Sequence, residues 1–175
     1  MDGARSGDYD IVGSLFHDPD VESFMLYGEP FYQTQVRFVQ KAGGTYRYTG
    51  LASLEPFTIA VGDGFLYEET FDRAGHLNKQ IVTTALQGVQ MVAYGRADLT
   101  LDSVDVIAHA INHDSPEIAG MVEFVPGVLT EHAIHMAVGR TVPNHQQIVD
   151  DFNRVLTEMR ADGSLHELLS QHVSQ

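Results

Sequence analysis

Asp102 is the residue on which a chemical reading of this sequence turns. It falls in the stretch Gly95-Arg96-Ala97-Asp98-Leu99-Thr100-Leu101-Asp102-Ser103. A helix-like run ends at Gly95, a residue that takes the left-handed C-terminal position at no steric cost. Leu99 and Leu101 then alternate with Asp98, Thr100 and Asp102, as in a short strand. Val104, Ile107, Ala108 and Ile111 follow at helical spacing, so Asp102-Ser103 is expected to close the strand and cap a helix. Ligands of open α/β sheets bind at that C-terminal edge, where Asp102 would take a cationic group. The residues alone favour the plainer role of cap.

Other candidates are weaker. Gly62-Asp63-Gly64 joins a strand to a helix, a place where backbone N–H groups gather around anions. Asp63 would repel an anion, however, and the stretch lacks the P-loop ending and the dinucleotide fingerprint. His109 and His113 lie four apart on an expected helix, and Glu131, His132 and His135 cluster later. No His-Glu-x-x-His pattern forms, so no metal and no cofactor is expected. Ser14 and Ser103 lack a nucleophile-elbow context, which leaves no support for covalent catalysis. Phe16, Phe31, Tyr32 and Phe65 read first as packing residues, although all four fall at loop or strand ends, where pockets are lined.

The elements that must position these groups follow from pattern. Tyr9 to Ser14 reads as a buried strand after a helix tail ending at Gly7. Phe16 to Glu22 is a polar loop, and Glu29-Pro30 is a turn. Strands are expected at 34–39, 57–61, 80–84, 99–102, 121–125 and 133–138. A helix after Gly64 carries Tyr67, Phe71 and Ala74 on one face, and another spans 85–94. Asn144 and Gln147 form a capping box for a helix striped by Ile148, Phe152, Val155, Leu156 and Met159. Ser164 and Glu167 repeat the box. Alternating strands and helices imply an α/β fold with a largely parallel sheet.

Composition narrows the function classes. With 175 residues and 43% apolar content the chain can bury a core without covalent staples. It contains no cysteine, which excludes disulfides and thiolate metal sites. A net charge of −14 argues against nucleic acid and anionic membranes as partners. No secretory signal pattern is visible at the start.

The order of these pieces resembles the solute-binding proteins of ABC importers, in particular the family-3, amino-acid-type group with the two-lobed type II periplasmic-binding-protein (flytrap) fold. Ser6-Gly7-Asp8-Tyr9-Asp10-Ile11 is similar to its Ser-Gly-x-x-Asp strand entry. Tyr27-Gly28-Glu29-Pro30-Phe31-Tyr32 resembles its Phe-Ser-x-Pro-Tyr segment. Leu54 to Gly64 resembles the entry to its second lobe. Gly95-Arg96-Ala97-Asp98 followed by Asp102 resembles its Gly-Arg-x-Asp-x-x-x-x-Asp. Ala137-Val138-Gly139-Arg140 and Ala161-Asp162-Gly163-Ser164-Leu165 resemble its return strand and terminal helix. The resemblance implies a partial first lobe at 1–37 plus 132–175 and a second lobe at 38–131. A strand–helix–strand unit ahead of Gly7 is missing, which implies an N-terminally truncated chain and apolar surface covered by a homodimer or a swap.

The resemblance further implies a non-enzymatic protein that closes on a small-molecule ligand and engages an ABC permease, in a periplasmic or other extracytoplasmic location. Asp102 stands for the ammonium-binding aspartate, Ser14 and the Gly64–Phe65 backbone for polar contacts, and Phe16 and Tyr32 for stacking. The family's carboxylate-gripping arginine has no counterpart in Asp18-Pro19-Asp20-Val21-Glu22, and its Gly-Thr-Thr is Gly64-Phe65-Leu66. Those departures favour a cationic or neutral ligand over an ordinary α-amino acid. Sensor modules of membrane kinases and dehydratase-type enzymes resemble the same scaffold and are the alternatives; the enzyme would need Glu22 or Glu29 as a general acid.

Overall fold

In the computed structural model, which describes residues 2–173, seven α-helices and eight strands alternate along the chain. They run α1 (Asp2–Ser6), β1 (Ile11–Phe16), α2 (Pro19–Glu22), β2 (Met25–Tyr27), β3 (Tyr32–Lys41), β4 (Thr58–Gly62), α3 (Glu69–Arg73) and β5 (Asn78–Val82). After these come α4 (Ala85–Ala93), β6 (Leu99–Ser103), α5 (Val104–His109), β7 (Val122–Phe124), β8 (Thr130–Gly139), α6 (His145–Asp162) and α7 (Ser164–Val173). Short 3-10 turns lie at Leu51–Leu54 and Pro116–Ile118, and a π-helical turn at Ala110–Asp114 continues α5. Among the described residues no helix is long and apolar enough to cross a membrane.

The chain forms two compact units. One comprises the residues up to Gln33 together with those from His132 onward, and the other is Thr34–Glu131. The chain passes between them within β3 and again within β8.

In the first unit, β1 and β2 both pair antiparallel with β8. Alternation along β8 sorts its side chains to two sides. Ala137 packs with Ala4, Val21 and Met25, whereas Met136 and Val138 pack with Val149 of α6. The second unit is also two-sided. Val36, Phe38, Ile59, Val61, Leu99 and Leu101 pack with Tyr67, Phe71, Ala74 and Leu77. Val39, Ala60 and Val82 pack with Val89, Val92 and Ala93 of α4 and with Ile107 and Ile118.

Several expectations are corrected. The sheet is mixed: β4 pairs parallel with β5 and β6, whereas β3 pairs antiparallel with β6 and β7. Within the expected loop from Phe16 to Glu22, Asp18 caps α2 by accepting from Asp20 N at 2.9 Å. The helix expected after Gly64 is delayed to Glu69, because the Glu68 carboxylate caps it by accepting from Thr70 N and Phe71 N. Tyr67 therefore lies in the connecting turn. Asn144 makes no side-chain cap bond and takes a left-handed backbone (φ 61°) in place of the extended one an N-cap residue usually adopts.

Candidate ligand-binding site

Asp102 reaches its place through a chain of local constraints. α4 ends as its sequence requires, with Gly95 at φ 69° and the N–H groups of Arg96 and Ala97 folded back onto the Met91 carbonyl. Asp98 then staples the start of β6 to β4: its N–H donates to Thr58 O at 2.9 Å, and its carboxylate accepts from Thr58 N at 2.7 Å. All five residues of β6 are buried. The strand delivers Asp102 to the sheet's C-terminal edge, 8% exposed.

The helix cap is not Asp102. Ser103 occupies the N-cap of α5, with no side-chain cap bond, and Asp102 Oδ1 accepts from Ser103 N at 2.7 Å. Burial pushes the Asp102 carboxyl above its ordinary pKa, and that one backbone hydrogen bond works in the opposite direction. Asp102 makes no ion pair among the described residues. Counted along the chain, the family spacing Gly-Arg-x-Asp-x-x-x-x-Asp places its second aspartate at Ser103, since only Leu99 to Leu101 separate Asp98 from Asp102. In β6 that one-residue difference changes the face. Ser103 lies opposite Val36, and Asp102 lies opposite Arg37.

Gly64 and Phe65 lie in the turn after β4. Gly64 takes φ 70°, and Phe65 is 52% exposed, with its ring 6.3 Å from and nearly parallel to that of Tyr67. Three N–H groups of this segment donate within the fold. Gly62 N donates to the Tyr67 hydroxyl at 2.9 Å, Asp63 N to Val82 O and Phe65 N to Gly62 O. Burial pushes the Tyr67 phenol up to about 12, and the charges of Asp102 and Asp72 push the same way. Tyr67 itself packs with Val36, Phe38, Leu99 and Leu101.

The remaining candidates belong to the first unit. Ser14 is exposed, in the part of β1 where the register with β8 shifts between Val12 and Leu15. Phe16 ends β1 with its ring stacked on His132 at 4.4 Å. Tyr32, half-buried, opens β3. His17, which follows Phe16, pairs with Glu22 at 2.8 Å and packs on Tyr27, whose ring also meets His135 edge-on at 5.6 Å. The His109 and His113 rings lie 4.7 Å apart, tilted by 31°, and among the described residues no group of three potential ligands could hold a metal.

The sequence reading missed two residues of this neighbourhood, Tyr67 and Arg37. Tyr67 carries its signal only as an apolar residue of an expected helix. Arg37 becomes visible only once the register of β3 on β6 is known.

No protein-family model matches the sequence, and no curated protein matches it. Solved structures do. The chain is similar to a variant of ArgBP from T. maritima (16% identity, TM-score 0.78), with 99% of this chain covering 73% of that one. A putative binding component of an ABC transporter from Wolinella succinogenes, complexed with lysine, matches at 17% identity and TM-score 0.80, with coverage of 99% and 74%. A histidine kinase sensor domain with similarity to periplasmic binding proteins matches at 13% identity and TM-score 0.80, with coverage of 98% and 73%. The fold is therefore the periplasmic-binding-protein-like flytrap fold. This chain spans about three quarters of the length of those structures.

Proposed function

We propose that the protein is a solute-binding domain of an ABC-type importer, holding a small polar molecule that is amino-acid-like or an amine. The observation that supports this reading is Asp102, a desolvated carboxylate at a strand's C-terminal edge without an ion-pair partner among the described residues. Such a group costs stability unless something cationic compensates it. A ligand ammonium supplies that compensation. The reading carries no catalytic step. It implies a membrane permease as partner and a location outside the cytoplasm. Exposed Tyr9 and Ile11, at the start of β1, suit a homodimer that covers them.

A thermal-shift screen against amino acids, polyamines and small amines tests it. A ligand at a hundredfold excess over its dissociation constant stabilises the fold by roughly 2.7 kcal/mol. A saturable shift supports the reading, and a well-folded sample that responds to none of these compounds contradicts it. The similarity to a kinase sensor domain favours one second reading, ligand sensing within a longer receptor, which predicts the same binding but a signalling partner in place of a permease.

A further inference from the structure

A groove of about 400 Å³ opens in the second unit, between the start of α4 and α5 with its π-helical turn. Its wall is apolar at Ala85, Leu86, Val106 and Ala110, and Val106 is 44% exposed. The carboxylates of Asp105 and Asp114 and the imidazole of His109 also line it, and no lysine or arginine does. Small-molecule pockets have this size and this make-up, mostly apolar with a few polar groups. Local sequence builds the groove. α4 starts at Ala85 because the Thr84 hydroxyl caps it, accepting from Gln87 N at 3.1 Å, so a small side chain stands in the first turn. α5 is not continued as an α-helix: Ser115 N donates to Ala110 O at 3.0 Å, a bond across five residues that widens the turn Ala110–Asp114. Single π turns within helices recur at functional sites.

Charge complementarity names the occupant. The start of α4 carries a partial positive charge of about half a unit, against two full negative charges in the same wall. Asp105 accepts from the Thr34 hydroxyl at 2.7 Å, a neutral donor that leaves its charge in place. Asp114 makes neither an ion pair nor a side-chain hydrogen bond among the described residues. We propose that the groove is a second small-molecule site, for an organic cation with an apolar body such as an arylalkylamine. Asp105 and Asp114 hold the ammonium, and Leu86, Val106 and Ala110 take the apolar body. An anion or a zwitterion is disfavoured, because the wall has no lysine or arginine to take a carboxylate. The inference goes beyond the solute-binding reading and does not rest on it, since none of the residues assigned to the solute lines this groove.

The test is a titration of the full 175-residue chain, followed by amide NMR, with three probes of one shape: phenethylamine, phenethyl alcohol and phenylacetate. Saturable shifts are expected to centre on the amides of Ala85, Leu86, Val106 and Ala110. The amine is expected to bind roughly fivefold or more tightly than the alcohol, the effect of one partly exposed charge pair, and phenylacetate more weakly than either. Val106→Arg, at an exposed position, puts a cation in the groove and is expected to abolish amine binding. Asp114→Asn, also exposed, is expected to weaken it roughly fivefold. Asp102→Asn leaves it unchanged. The amide spectrum of each variant shows directly that it is folded. Equal affinity for the three probes overturns the proposal, as does undiminished amine binding in Val106→Arg. Shifts centred away from the groove, or lost in Asp102→Asn, assign the amine to the solute site and overturn only the second site. No response to the amine at millimolar concentration overturns the second site as well, and leaves the solute-binding reading to its own screen.

Discussion

A Cβ added to Gly88 would stand 2.4 Å from the Thr100 hydroxyl oxygen, so α4 lies directly on β6 at the one residue of that helix with no side chain to displace. Thr100 cannot easily yield, because its hydroxyl donates to Ala60 O at 3.1 Å inside the sheet. This contact fixes the strand that carries Asp102. Gly88→Val is expected to destabilise the fold by about 1–3 kcal/mol through overpacking. Urea denaturation measures it, and an unchanged midpoint would show that α4 is free to shift.

Tyr67 holds the turn after β4. Tyr67→Phe removes the acceptor of the partly buried Gly62 N–H and is expected to cost about 1 kcal/mol. The phenol also makes stability depend on alkaline pH. Its folded pKa of about 12 lies above the ordinary 10.0. Its contribution is therefore complete below pH 10 and is lost as pH rises toward 12. Thermal melts across that window should fall more steeply for the wild type than for Tyr67→Phe, and parallel curves would contradict the assignment.

Asp102 should act in the opposite sense to an ordinary surface carboxylate. Burial raises its pKa above 3.8, so the folded state holds the proton more tightly than the unfolded chain. Its favourable contribution is present below the unfolded pKa and disappears as pH rises through the folded one. Above that folded pKa the ionised group is a cost. Asp102→Asn, which keeps an oxygen for Ser103 N, is expected to melt higher than the wild type at pH 7 and to converge with it in acid. Stabilisation on removing a functional group is the usual signature of a site maintained against stability. A variant that melts lower at neutral pH would mark Asp102 as a structural residue.

Much of the fold was legible because its signals are local. Gly95 ends α4 for a reason confined to one residue, and β6 follows from a two-residue period. The misreadings occur where a distant partner decides. Glu68 caps α3 four residues beyond Gly64, and Tyr67 lies outside the expected helix, accepting from Gly62 N. Asn144 satisfies the composition of a capping box but not its backbone conformation. The candidate residues could be named from sequence, but not the residues that surround them. Arg37, the neighbour of Asp102, lies 65 positions away in sequence, and only strand register brings the two to one face. Even at Asp102 the motif count runs one residue long, a difference that carries no weight in composition but decides which side of the sheet a carboxylate faces.

The most direct measurement of the central claim is calorimetric titration of the wild type and of Asp102→Asn with the compound that gives the largest thermal shift. The account predicts saturable binding by the wild type and a loss of roughly tenfold or more in a variant that remains fully folded, the cost of removing one charged hydrogen-bonding partner. Equal affinity in the two proteins would contradict it, because the buried carboxylate would then have no part in holding the ligand.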